Sequence, residues 1–175
     1  MVVVPPRFGL RAMTGLCPAQ VRREIVTPVL ELIGLGGDAA ASLLTGTALA
    51  ETGLAYIRQV TDGGPGPALG LWQMEPFTHD DIWATFLPAP RLAGLRRHLL
   101  LLRGQWPAGA AQMASNMAYA CAMARVKYYR APDPLPAATD AVAMCRMWKR
   151  IYNTSLGAGD ADPRHVALFQ QAIGT

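Results

Sequence analysis

The chain holds four glutamates, Glu24, Glu31, Glu51 and Glu75, and one of them stands where a carboxyl group could transfer protons. Glu24 and Glu31 share a helical stretch with Arg22 and Arg23 and read as ordinary surface charge. Glu51 closes a second helical stretch. The residues three, four and seven positions before it are Ala48, Thr47 and Leu44, so it lies on or beside an apolar stripe. A carboxylate there is partly desolvated, and the last helical turn faces it with the negative end of the dipole. Both effects disfavour ionisation and raise the pKa, as a general acid working near neutral pH requires. The plainer reading is a rim glutamate that reaches water.

Other chemistry-bearing residues carry less. Thr78-His79-Asp80-Asp81 has metal-ligand types, but no second ligand cluster completes a site, so no metal is expected. Thr78 reads instead as a helix N-cap with Asp81 at the capping-box position. Glu75 precedes Pro76 in a loop and is at most a substrate contact. His98 and His165 lie on arginine-bearing helices and read as surface residues. Cys17, Cys121 and Cys145 match neither a metal spacing nor a CxxC motif, which predicts reduced, buried thiols. Arg91, Arg96, Arg97 and Arg103 form a basic stretch without interleaved aromatics, so nucleic acid is not an expected partner.

These residues need a scaffold, and the pattern is helical. Helices are predicted over Pro18–Leu35, with a kink at Pro28, and from an Asp38 cap through Glu51, stopped by Gly53. Further helices are predicted over Thr78–Phe86, Arg91–Leu102, Pro107–Arg130 and Ala137–Tyr152, and over Pro163–Ile173 capped by Asp162. Between Leu54 and Met74 the Asp62-Gly-Gly-Pro-Gly-Pro67 run separates two short β-like stretches, Ala55–Val60 and Leu69–Met74. The fold class is therefore all-α with a small β-hairpin or irregular lobe around residues 54–75. A length of 175 residues with 51% hydrophobic content fits one domain, 1–175, in which 1–17 is an N-terminal extension. The net charge of +4 permits an anionic polymer as partner without requiring one. Gly104–Ala124 is uncharged but interrupted by Gln105, Gln112, Ser115 and Asn116, so a core helix is expected and no membrane partner. Met1–Leu16 is broken by Arg7, Arg11, Pro5 and Pro6 and does not read as a signal peptide.

The order of short elements adds to this. Glu51-Thr52-Gly53 is followed by Gly70-Leu71-Trp72-Gln73-Met74, then by Asn116 and Tyr119 in one helix, then by Tyr152-Asn153 ahead of Gly157 and Gly159. This succession resembles the lytic transglycosylase and goose-type lysozyme families of the lysozyme superfamily. In those families a Glu-Ser-Gly-like element, a Gly-Leu-Met-Gln-Ile-like element, a helix bearing an Asn and a Tyr-Asn-x-Gly-like element follow one another.

The resemblance implies a lysozyme-like fold whose cleft lies between the Glu51 helix with its small lobe and the later helices. It implies endo-acting cleavage of the β-1,4 bond between N-acetylmuramic acid and N-acetylglucosamine in peptidoglycan, with no cofactor. Glu51 would protonate the glycosidic oxygen, and Gln73 would bind sugar or orient the reacting groups. Tyr152 would sit near Glu51, and Asn116 and Asn153 would shape the floor or hold an N-acetyl group. Thr52, Trp72 and Tyr119 would complete the substrate contacts, Trp72 offering an apolar face to a pyranose. Thr52 replaces the usual Ser, Trp72 the common Met, and Thr154-Ser155-Leu156 lengthens the last element. An enzyme of this kind would be cytoplasmic before release or carried in a bacteriophage virion. A different reading is a virion or tail structural protein that keeps such a fold and works by docking to other subunits.

Overall fold

In the computed structural model, which describes residues 15–153 and 162–175, the other elements pack around the Met117–Arg130 helix. Its residues 119–126 are all buried, Arg125 among them, so this helix is covered on every face and sits inside the molecule. Alanine and methionine fill it, which suits both helix propensity and close approach of neighbours. Its start corrects the expected Pro107–Arg130 helix. Gly109–Ala114 is only a tight helical turn, and the Asn116 side chain accepts a bond from the Tyr119 N–H at 3.0 Å. Asparagine competes for backbone amides in this way, and so it begins helices better than it continues them.

The Asp38–Thr52 helix is the second buried element, with residues 40–49 sealed from solvent. Gly53 ends it in a left-handed conformation (φ +57°), as expected of a glycine stop. The N-cap is Gly37 and not Asp38, whose carboxylate instead lies 3.7 Å from Arg22. Arg22 also donates to Ser42 Oγ at 2.9 Å and to the Ala172 carbonyl at 3.1 Å, so it ties three helices together. The first helical stretch runs Pro18–Val21, Arg22–Val26, Thr27–Leu32 without a break. Its middle turn widens, with Thr27 N–H bonding to the Arg22 carbonyl, and this accommodates Pro28.

The small sheet consists of β1 (Arg58–Thr61) and β2 (Gly64–Leu69), paired antiparallel with Val60 opposite Pro65 and Thr61 opposite Gly64. The expected strands Ala55–Val60 and Leu69–Met74 are thus shifted. Asp62-Gly63 makes the turn, and the Gly-Pro run itself is the second strand. A two-stranded sheet has only edges, where prolines lacking an N–H are tolerated. Leu69 and Met74 then exchange two backbone bonds, at 3.0 and 3.1 Å, around the Gly70–Gln73 turn.

Pro76–Asp81 and Ile82–Phe86 form one helical stretch whose cap is Glu75 and not Thr78, because Pro76 fits the first turn. His79 is buried, its Nδ1 2.7 Å from Asp80 and its Nε2 2.7 Å from the Tyr119 hydroxyl. Trp83 donates to the same hydroxyl at 2.8 Å, which pins this stretch to the central helix. Ala93–Leu102, Ala141–Met147 with Trp148–Tyr152, and Pro163–Ile173 complete the helices. Asp140 and Asp162 cap the last two through the amides of Ala143 and His165. Cys121 and Cys145 are buried free thiols, whereas Cys17 is partly exposed. Among the described residues no helix is long and apolar enough to cross a membrane.

A close helix crossing involves Gly46. A methyl group built there would lie 2.3 Å from the Phe169 ring, so the absence of a side chain lets the last helix seat against the Asp38–Thr52 helix. We expect Gly46→Ala to destabilise by about 1–3 kcal/mol through overpacking. This would override the gain of about 1 kcal/mol that alanine brings to a helix interior. Urea unfolding of the two proteins measures it, and equal or greater stability of the variant would show that the crossing yields.

Candidate active-site cleft

An open cleft of about 590 Å³ runs between the end of the Asp38–Thr52 helix, the β1–β2 hairpin and the C-terminal parts of two later helices. Five of the residues singled out in the sequence line it: Glu51, Thr52, Gln73, Tyr152 and Asn153. They come from distant parts of the chain and meet because the Met117–Arg130 and Ala141–Tyr152 segments pack across from the Glu51 helix.

Three others do not reach it. Trp72 is fully buried and donates its indole N–H to the Leu44 carbonyl at 2.9 Å, so its ring packs against the Glu51 helix and offers no face to a sugar. Asn116 is spent on the helix cap and on the Leu102 carbonyl, to which it donates at 2.8 Å. Tyr119 is enclosed with His79 and Trp83. None of the three lines the cleft. Gly157, Gly159 and the Thr154-Ser155-Leu156 insertion lie outside the described residues.

Glu51 is half-buried, as its place beside an apolar stripe predicts. Burial is the largest influence on its carboxyl and raises its pKa. The Trp148 indole N–H donates to Oε1 at 2.8 Å and works in the opposite direction, as do the charges of Lys127, His165 and Lys149. Among the described residues no group hydrogen-bonds the other oxygen, Oε2. Trp148 is itself held rigidly, with ring centroids 4.8 Å from His165 and 6.1 Å from Phe169 on the last helix. His165, expected at the surface, is half-buried and bonded to Asp162.

The hydroxyl of Thr52 bonds to the Ala48 and Leu71 carbonyls, both at 3.0 Å, and so fastens the Glu51 turn to the Gly70–Gln73 turn. Gly70 is needed there: its φ is +74°, and a Cβ would lie 2.2 Å from the Met113 carbonyl oxygen. Gln73 follows with φ +45°, a left-handed conformation unusual for a side-chain-bearing residue, and its amide folds back to the Gly70 carbonyl at 2.7 Å. Tyr152 stacks on Tyr128 at 5.3 Å, and its buried hydroxyl has no partner among the described residues.

Sequence reasoning missed Lys127 and Trp148. Lys127 lies in the cleft, donates to the Tyr152 carbonyl at 2.8 Å and sits 4.2 Å from the Tyr152 ring centroid. Its one sequence signal is spacing: it falls seven, four and three residues after Ala120, Met123 and Ala124, on a buried stripe. Trp148 carried no signal, since its role depends on where the last helix packs. Glu75, read as at most a substrate contact, lines the cleft together with Tyr56, Arg58 and Thr78. Among the described residues no cluster of three or more metal-ligating side chains occurs. Comparison of the chain with protein-family models, curated proteins and solved structures gives no match.

The raised pKa of Glu51 makes a thermodynamic prediction. With a folded-state pKa above the unfolded value, the contribution of Glu51 to stability is fully present at acid pH and is lost as pH rises through the folded pKa. Gln is nearly isosteric with the protonated acid and does not ionise. The melting temperature of Glu51→Gln relative to wild type should therefore rise between pH 4 and pH 7. A difference that stays flat across this range would mean that the carboxyl is solvated.

Proposed function

We propose that the protein cleaves peptidoglycan glycan strands at the β-1,4 bond between N-acetylmuramic acid and N-acetylglucosamine, with Glu51 as general acid and then general base. The observation that carries this reading is a half-buried carboxyl, its pKa raised by burial, opening onto a cleft of about 590 Å³. The order of the Glu-Thr-Gly, Gly-Leu-x-Gln and Tyr-Asn elements supports the lysozyme-superfamily assignment, and residues of all three line that cleft. The docking-only reading expected Glu51 to be covered or ion-paired. The open cleft and the lack of a described ion pair at Glu51 count against it.

The reaction would proceed as follows. Glu51 gives its proton to the glycosidic oxygen as the C–O bond breaks. Its carboxylate, still held by the Trp148 N–H, then takes the proton from the 6-hydroxyl of the muramic acid sugar as that oxygen bonds to the anomeric carbon. The product is a 1,6-anhydro sugar, and Glu51 returns to its acid form. Hydrolysis would instead need a second carboxylate, about 5 Å away for retention or about 6.5–9.5 Å away for inversion. Of Asp62, Glu75 and Asp80, the acids that could serve, Glu75 alone is in the cleft lining, and Asp80 is bonded to His79. Gln73 would bind sugar from its turn, and Tyr152 and Asn153 would face the substrate from the opposite wall.

Purified peptidoglycan tests this directly. Glu51→Gln should lose about 10²-fold or more of the activity while staying folded, and full activity of this variant would sink the assignment. Mass spectrometry of the wild-type digest should show fragments one water lighter than hydrolysis gives, and Glu75→Gln should still make them. Reducing-end fragments that vanish in Glu75→Gln would instead identify a hydrolase.

The second turn gives an internal comparison. Gln73 and Gln59 both line the cleft, but only Gln73 belongs to the Gly-Leu-x-Gln turn. Gln73→Ala should reduce turnover more than Gln59→Ala. Equal losses would mean that the motif has no special place in the site.

A further inference from the structure

Lys127 is a cation in an unusual place. It projects from the buried central helix into the cleft wall and is largely removed from water, which pushes its pKa down. An ammonium group has three N–H donors. Among the described residues one is used, on the Tyr152 carbonyl at 2.8 Å, and the Tyr152 ring 4.2 Å away supplies only a partial counter-charge. No described carboxylate is close enough to form an ion pair with it. Glu51 and Glu75 act on it only from a distance. Burying a cation without an ion-pair partner is unfavourable, and an anionic oxygen entering the cleft would relieve it through charge-assisted hydrogen bonds.

We propose that Lys127 is the anion-binding group of the cleft and that the ligand it selects is a carboxylate-bearing glycan, its carboxylate taken by the unused ammonium donors. The inference rests on the glycan-cleaving reading and deepens it by naming the feature of the sugar that is recognised. Arg58 also lines the cleft, but it is exposed and donates to the Gly66 carbonyl from the hairpin, which places it at the rim. Lys127 emerges from the buried helix and holds the interior position.

The test measures binding by calorimetry in the Glu51→Gln background, so that no bond is cleaved. The probes are a peptide-free tetramer of alternating N-acetylglucosamine and N-acetylmuramic acid with free lactyl carboxylates, and the same tetramer as its methyl ester. The free acid should bind about tenfold or more tightly than the ester, a difference of about 1.4 kcal/mol. Lys127→Met should remove that preference and Lys127→Arg should keep most of it. Equal binding of acid and ester overturns the inference and leaves the glycan reading intact, whereas binding of neither overturns both. A Lys127→Met variant that weakens acid and ester alike would mean that Lys127 only braces Tyr152. Should Lys127→Met fail to fold, the acid–ester comparison with Lys127 in place decides the matter.

Discussion

A single hydrogen bond, from the Trp148 indole to the Glu51 carboxyl, joins the two halves of the site across 97 residues of sequence. Its geometry makes demands on much of the chain. Glu51 must be removed from water far enough to favour its proton, so the helix that carries it must be buried to its last turn. Trp148 must then stand at one fixed position beside it, because an indole N–H has a single direction in which to donate. Neither residue can set that position alone. The last helix does so by stacking His165 and Phe169 against the indole. That helix gets close enough because Gly46 has no side chain to hold it away. A missing methyl group in one helix thus bears on the acidity of a carboxyl one and a half turns further on.

The opposite wall depends on a different set of interactions. Trp72, Thr52 and Gly70 fix the turn from which Gln73 projects. Trp72 reaches back to the Leu44 carbonyl, Thr52 bonds to the Leu71 carbonyl, and Gly70 admits the Met113 carbonyl where any other residue would collide. Three separate tethers on one short turn explain how Gln73 keeps a left-handed backbone that costs about 1–3 kcal/mol. Such a conformation persists only where the surroundings over-determine it, and here each tether is visible.

What could be read from the sequence follows the range of the forces involved. Helix ends governed by neighbouring residues were legible: Gly53 stops the Glu51 helix, and Asp162 caps the last one. Burial of Glu51 was legible because it is a property of one helical face. The hairpin was recognised but misplaced, since Asp62-Gly63 competes as a turn with the whole Gly-Pro run and only strand pairing decides between them. A large aromatic near a candidate catalytic glutamate suits a sugar face as well as it suits a core, so the sequence alone does not place Trp72. Its burial follows from the availability of one helix carbonyl 28 residues away. Lys127 and Trp148 owe their roles to elements that meet only in the folded chain, and no local pattern announces that meeting.

The charges of the cleft follow from these constraints. Burial weakens Glu51 as an acid. The indole N–H and the Lys127 ammonium act the other way, since both favour the carboxylate. A group that gives up a proton and then recovers it, as the proposed reaction requires, needs both influences in the same place. Burial favours the acid form, and the donor and the cation favour the base. Lys127 feels the reciprocal effect: burial disfavours its charge, while Glu51 and Glu75 restore it. The two buried ionisable groups are therefore not independent features. Each favours the charged form of the other, and a ligand that brings a further anion to Lys127 would weaken its support of the Glu51 carboxylate. Binding of an acidic sugar would thus leave Glu51 a more firmly protonated acid at the moment a proton is to be given.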